Sequence, residues 1–365
     1  MLVVILSMRI NLAPDKSFQG YDARRLKAIC IGTNRSGVAN ELSAIGKRVG
    51  FDVFIPTAAG LENIDNVHRA INLGHKLWLQ DLVTTTPQNL VLPVFATEML
   101  ARFVAKAFNK DCVNKSINIP AGGNMFYMQN SQTGMNDLLI GADDVKDIAQ
   151  EDIKSVLGVD NITAIPQMDF HIDMFLRPLE NNTILIADDE MTLRVLRHGM
   201  SCINNVLAKN PNNKNELKKI YKKLAAVFNE FQANIEKNTS VGLAITESRL
   251  KKSGYMPVRV PGRIYTVDGQ NSLRHTTNFM NAIVTKNDKD ELVYITNKSF
   301  LDEDCGIDYK VQKQIGFSFE QEFLKSILAY VKPRNVHFVS GEERYLANLL
   351  HDSFGGIHCI TTEIL

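Results

Sequence analysis

The sequence is short of most features that mark a special class of protein. It has one tryptophan, Trp78, and five cysteines in 365 residues. The cysteines are Cys30, Cys112, Cys202, Cys305 and Cys359, odd in number, far apart and never spaced as CxxC. That pattern argues against a disulfide framework and a structural zinc site and points to a reducing compartment. No run of about 18 apolar residues exists, so no segment is expected to span a membrane. The opening MLVVILSMRIN has no basic start and no small-residue cleavage site, so it reads as a strand rather than a signal peptide. A cytoplasmic location, or export without a recognisable signal, is the expectation. An excess of charge is also missing: 41 Lys and Arg against 40 Asp and Glu leave a net charge of +1, which gives no reason to expect nucleic acid or a membrane as a partner. No repeat of roughly 20–50 residues and no low-complexity segment is visible. Oligomeric state is not legible.

What is present is ordinary core-forming material, with 45% hydrophobic and 22% charged residues, enough for one large domain. Strand-sized runs recur between turn residues: AICIG, DVFIPT, NLVLPVF, DLLIGA, NNTILIADD, ELVYIT and NVHFVSG. Helical spacing separates some of them, as in residues 98–108 (Met99, Leu100, Phe103, Val104, Phe108) and around Phe319, Phe323, Ile327 and Val331. The longest helical pattern runs from about 213 to 238, with Leu217, Ile220, Leu224, Phe228, Phe231 and Ile235 on one face. Its cluster of Lys218, Lys219, Lys222 and Lys223 reads first as a solvated face and second as a partner-facing surface. Strands alternating with helices predict an α/β or α+β protein.

Four stretches could carry chemistry: HKLWLQDLVTT with Trp78, Gln80 and Asp81; IPAGGNMFYM with Gly122, Gly123 and Asn124; MDFHIDMFLRP with His171 and Asp173; and the late GGIHCIT with Cys359. Singly, each has a plain structural explanation: a turn aspartate, a tight Gly-Gly turn, a core histidine, an inert buried thiol. His171 and Asp173 say more. In an extended segment they share one face, with Phe170 and Ile172 turned to the core. An imidazole and a carboxylate desolvated together suit a cationic ligand. Cys359 is expected at the end of a final strand, with His358 on the opposite face in a structural role.

Together, and in this order, the four stretches resemble the guanidine-modifying enzyme superfamily: arginine and agmatine deiminases, amidinotransferases, dimethylarginine hydrolases and protein-arginine deiminases. LWLQD is similar to the W-I-Q-D of protein-arginine deiminases, FHIDMFL to their G-H-V-D-E-F-L, and GGIHCIT to the G-x-I-H-C-I-T of agmatine deiminases. TTNFMNAIV at 276–284 resembles the segment those enzymes carry before the cysteine. The resemblance covers roughly residues 70–365.

The resemblance implies a pentein α/β propeller of ββαβ modules around a central channel, forming one catalytic domain over 1–365 with a helical insertion at about 190–252. It implies a hydrolase that converts an arginine guanidinium to citrulline and ammonia. Cys359 would be the nucleophile and His171 the acid and base. Asp81 and Asp173 would grip the guanidinium, with Trp78, Gly122, Gly123 and Asn124 around the substrate. No metal or organic cofactor is needed for those steps. Vertebrate protein-arginine deiminases require calcium, but the acidic clusters here (Asp143, Asp144 and Asp147; Asp188, Asp189 and Glu190; Asp302, Glu303 and Asp304) lack EF-hand spacing; calcium dependence stays open. Arginine deiminases carry an acid directly before the Gly-Gly, whereas this chain has Ala121. Protein-arginine deiminases also lack it, so arginine within a protein or peptide is the expected substrate. Agmatine or free-arginine deimination, amidino transfer, and a non-catalytic pentein that only binds remain alternatives.

Overall fold

The structure, a computed structural model, describes residues 25–32, 36–55, 79–86, 88, 91–94, 98–113, 120–146, 148–209, 214–235, 239–267, 273–340 and 356–364. The strand expected at MLVVILSMRIN, the substrate contact expected of Trp78 and most of the 210–215 loop lie outside these residues.

One unit recurs. An antiparallel strand pair is followed by a helical crossover to a third strand that joins the sheet in parallel. The first sheet holds β1 (Ala28–Ile31), α1 (Ser36–Val49) and β2 (Asp52–Phe54), with β1 and β2 parallel. Its remaining antiparallel strand arrives from the far end of the sequence: β16 (Thr361–Ile364) pairs with β1, setting Ala28 opposite Ile364. Next come β3 (Val83–Thr85), β4 (Val91–Pro93) and α2 (Glu98–Ala107), where a single parallel bridge from Val91 to Cys112 stands in for the third strand. Then follow β5 (Met125–Gln129), β6 (Asn136–Gly141), α3 (Gln150–Leu157) and β7 (Asn161–Ile165). The fourth unit is β8 (Leu176–Pro178), β9 (Thr183–Ala187) and β10 (Met256–Val260), with α4 (Asp189–Lys209), α5 (Lys214–Ile235) and α6 (Thr239–Lys252) between the last two strands. A separate hairpin, β11 (Arg263–Val267) and β12 (Leu273–Asn278), precedes the fifth unit. That unit is β13 (Ile283–Lys286), β14 (Leu292–Asn297), α7 (Phe300–Cys305), α8 (Tyr309–Ile315), α9 (Phe319–Ile327) and β15 (Val336–Val339).

The local causes are visible in the residues. Strands such as β9 and β14 are buried along their whole length because helices or neighbouring sheets cover both faces, so they read as continuous apolar runs. Helix α8 starts where the Asp308 side chain accepts the Val311 N–H and stops at Gly316, whose φ of 68° ends the turn. Helix α5 buries Leu217, Ile220, Leu224, Phe228, Phe231 and Ile235 and leaves Lys218, Lys219, Lys222 and Lys223 exposed, which matches the solvated-face reading. Helix α9 inserts Phe319 and Phe323 against Phe279, at ring separations of 5.4 and 4.5 Å. Each such buried aromatic contributes roughly 1.5–3 kcal/mol. No helix of the described residues is long and apolar enough to cross a membrane.

The units also set out the site. In each of them, a short turn leads into the strand that opens the antiparallel pair. These turns lie directly ahead of β3, β5, β8, β13 and β16, and hold Asp81, Gly122–Asn124, His171–Asp173, Asn281 and Cys359 respectively.

Candidate active site

Asp81 ends a 3-10 turn, Leu79–Asp81, whose Gln80 N–H donates to the Cys359 carbonyl at 3.3 Å. The Asp81 carboxyl accepts the Gly123 N–H, yet burial pushes it up to about 7, helped by the nearby Asp144 charge. Its Oδ1 is buried and has no hydrogen-bond partner.

The Gly-Gly turn is required by close approach. A Cβ on Gly122 would stand 2.6 Å from the Gln80 carbonyl oxygen, and one on Gly123 2.6 Å from His171 Nδ1 and 3.3 Å from Asp173 Cγ. Gly123→Ala is therefore expected to displace the imidazole by about 1 Å while the thermal midpoint moves little. A crystal structure of the variant beside a melting curve checks this. Asn124 is occupied by protein partners: its Oδ1 accepts the Ile172 N–H at 2.8 Å, and its Nδ2 donates to Asp144 Oδ2 at 2.6 Å. It holds the following loop in place.

His171 and Asp173 share a site, but not by strand alternation. His171 is extended (φ −133°, ψ 152°) and caps a 3-10 turn, Ile172–Met174, that swings Asp173 beneath it. Ile172 is buried, whereas Phe170 is 41% exposed and lays its ring on His171 at 4.8 Å; the expectation that Phe170 packs in the core fails. The loop is anchored by fully buried Arg263, which contacts Asp169 Oδ2 at 3.1 Å and grips Asp189 with two donors. His171 Nδ1 has no hydrogen-bond partner and lies 3.8 Å from Asp81 Oδ1. Burial holds the imidazole down to about 4, so it is neutral near pH 7.

Asp173 is wholly buried. Its Oδ2 accepts Asn281 Nδ2–H at 2.8 Å, meets His358 Nδ1 at 2.8 Å and lies 3.8 Å from Cys359 Sγ, while its Oδ1 has no partner. Burial pushes the carboxyl up to about 8 against the lowering influence of Arg177.

Cys359 lies in the turn before β16 and not at a strand end. The turn, rather than a pleat, sets its direction, so His358 packs on Asp173 and not on an opposite face. Asn281 clamps Cys359: its Oδ1 accepts the N–H groups of His358 and Cys359 at 2.9 and 3.3 Å, and its Nδ2 donates to Sγ at 3.1 Å. Gly356 permits this, since a Cβ there would stand 2.5 Å from Asn297 Nδ2 and 2.6 Å from Asn281 Oδ1. Burial, with Asp173 and Asp81 nearby, raises the thiol well above its ordinary range.

The sequence reading missed Asn281, Arg177 and the inward role of His358. Only the position of Asn281, in the turn ahead of β13, could have pointed to it.

These groups form a buried cluster of acids held toward their neutral forms. Two carboxyls and a thiol are pushed toward their protonated states, and a buried cation reverses that push. Three buried acceptors without partners, Asp81 Oδ1, Asp173 Oδ1 and His171 Nδ1, provide the complement to a planar group rich in N–H.

No family model matches the chain, and no curated protein matches it. Among solved structures, agmatine deiminase from C. jejuni matches with a TM-score of 0.53 at 13% identity, over 96% of this chain and 95% of that one. DDAH from Pseudomonas aeruginosa, complexed with citrulline, follows at 0.41 and 10%, covering 93% of this chain and 100% of that one. A dimethylarginine dimethylaminohydrolase adduct with 4-chloro-2-hydroxymethylpyridine gives 0.42 and 11% over the same shares. With its ββαβ units and a match along nearly the whole chain, the protein has the pentein fold, the fold of agmatine deiminase.

Proposed function

We propose that this chain is a guanidine hydrolase that deiminates arginine held in a protein or peptide, using Cys359 as a covalent nucleophile. The observation that carries the reading is a cluster of three unpartnered atoms, Asp81 Oδ1, Asp173 Oδ1 and His171 Nδ1, with the other oxygen of Asp173 3.8 Å from the Cys359 thiol. A guanidinium supplies N–H donors in one plane and the positive charge that both aspartates need in order to ionise. We read the ββαβ units as blades around a central channel, with their five site turns meeting on it.

Asp81 and Asp173 orient the guanidinium and keep it charged. The Cys359 thiol passes its proton to His171, which is neutral at rest, and the thiolate attacks the central carbon. The imidazolium gives that proton to the departing nitrogen, which leaves as ammonia. Water then attacks the thiouronium carbon, with His171 taking its proton. The C–S bond breaks as the hydroxyl proton is released, to be carried off by ammonia as ammonium; His171 returns its proton to the thiolate, and the product is a ureido group. Asn281 supports the thiolate through its N–H on Sγ.

Two observations favour a substrate that is attached to a chain. Ala121, buried and apolar, offers no third carboxylate from the turn. Asp81 and His171 are also partly exposed, their side chains 21% and 13% accessible, beside exposed Phe170. Asp144 favours a second reading: its half-buried carboxyl stands close enough to Asp81 to raise it and would suit the second charge of agmatine.

Comparing kcat/KM for a blocked arginine amide, free arginine and agmatine decides between them. The amide is expected to be best by about tenfold or more, a difference of about 1.4 kcal/mol. A clear preference for agmatine would favour the Asp144 reading, and no ammonia from any guanidine would leave a binding protein.

A further inference from the structure

Behind Asp173 lies a buried polar chain that the reaction above does not use. Arg177, on β8, is fully buried. Its Nε donates to the Met280 carbonyl at 3.0 Å, its Nη1 lies 3.3 Å from His358 Nε2, and its guanidinium rests on the Phe126 ring at 4.8 Å. Nη2 has no hydrogen-bond partner. Gln80 Nε2 also approaches His358 Nε2, at 3.0 Å. On the other side of the ring, Nδ1 is 2.8 Å from Asp173 Oδ2.

The proton positions follow from the donor inventory. A guanidinium only donates, so His358 Nε2 accepts and the ring proton sits on Nδ1. That N–H points at Asp173 Oδ2, which also takes the Asn281 amide. A second ring proton would face the Arg177 charge and is disfavoured.

We propose that Arg177 and His358 are positioning residues for Asp173. Arg177 fixes His358 as the Nδ1–H tautomer, and His358 with Asn281 saturates Oδ2, leaving Oδ1 alone to face the ligand. The enzyme's own buried guanidinium thus extends its charge through a neutral ring to the carboxylate that receives the substrate's guanidinium. The use of Oδ1 rests on the guanidine-hydrolase reading; the tautomer does not. The charged and titratable groups around Asp173 are Asp81, His171, Cys359, His358, Arg177 and Asp169, with Glu363 Oε1 at 3.8 Å from His358 Nε2.

Two measurements test this. In protein labelled with 15N-histidine, long-range proton–nitrogen spectra read the tautomer directly, with His358→Asn assigning the signal. The wild-type ring is expected to stay neutral and protonated on Nδ1 from about pH 6 to 8, and to shift toward the Nε2–H tautomer in Arg177→Met, where the donor-only guanidinium is gone and the Gln80 amide can turn its oxygen to Nε2. Finding imidazolium or the Nε2–H form in the wild type overturns the proposal without recourse to any variant. The second measurement is the pH profile of kcat/KM for deimination. Arg177→Met is expected to move the acid limb upward by about one unit, because Asp173 then ionises later, while Arg177→Lys keeps it near the wild-type position. A uniform fall in rate with an unmoved limb marks a merely structural arginine and overturns the proposal. Absence of turnover in the wild type would count against the guanidine reading, and the tautomer measurement would still decide this one.

Discussion

Cys359→Ala is expected to abolish turnover, by a factor on the order of 10⁴–10⁶, in a protein that still folds. Without the sulfur the proposed thiouronium cannot form, and among the described residues around Cys359 no other group is a comparable nucleophile: on this reading the carboxylates bind the cation and His171 carries protons. The fold should survive because the β-carbon is kept, the backbone N–H still reaches Asn281 Oδ1, and Asn281 Nδ2 retains Asp173 as its acceptor. The lost sulfur contact and the small void cost about 1 kcal/mol. A haloacetamidine, which imitates the flat cation, should label Cys359 and spare Cys30, Cys112, Cys202 and Cys305. Intact-mass and peptide spectra read the label, and ammonia release reads the rate. Wild-type activity in the alanine variant would end the covalent scheme.

Asp173→Asn should lower kcat/KM by about 2–5 kcal/mol, which is roughly 30- to 5,000-fold, although the side chains have nearly the same shape. The reason is the direction of the amide. Oδ2 takes donors from Asn281 and His358, so the carbonyl oxygen of an asparagine settles there and its NH2 is turned toward the ligand. An acceptor for the guanidinium becomes a donor facing its N–H groups. The same variant changes stability with pH. In the empty wild-type protein Asp81 and Asp173 are raised from 3.8 to about 7 and about 8, so between about pH 4 and 8 the native state holds more protons than the unfolded chain. The stabilisation is complete below about pH 4 and is lost as pH rises through the native values. Thermal midpoints measured from pH 5 to 9 without ligand should therefore fall, and fall less in Asp173→Asn. Equal slopes in the two proteins would show that Asp173 is not held protonated.

The strands were legible because each is a local apolar run. AICIG, NNTILIADD, ELVYIT and NVHFVSG all became strands at the expected places, as did the helices beginning at Glu98, Lys214 and Phe319. The recurring ββαβ unit was not legible as a repeat. A strand pair and a crossover need only burial patterns and turns, so their residue identities share little. The errors lay at the turns. Treating residues 170–173 as a strand put Phe170 in the core, and treating GGIHCIT as a strand sent His358 away from the site. In both places a short turn, which leaves almost no periodic signal, decided the direction. Asn281 was missed for another reason: its partners are 78 residues away at Cys359 and 108 away at Asp173, and the TTNFMNAIV stretch that holds it does not say which of its residues reaches them.

The pairing of β16 with β1 has a consequence for biosynthesis. The strand that completes the first sheet is separated from its partner by almost the full length of the described chain, and the thiol sits in the turn leading into it. A ribosome-bound intermediate can build the intervening units through contacts near in sequence, but it cannot hold Cys359 in place until the residues through Thr361 have been synthesised and have reached back to β1. Closing so long a loop is a slow event in folding. The cluster of acids and thiol is therefore completed last, and a partly made chain lacks the contacts of Cys359 with Asn281 and Asp173. Onset of thiol labelling during synthesis would time the pairing of β16 with β1.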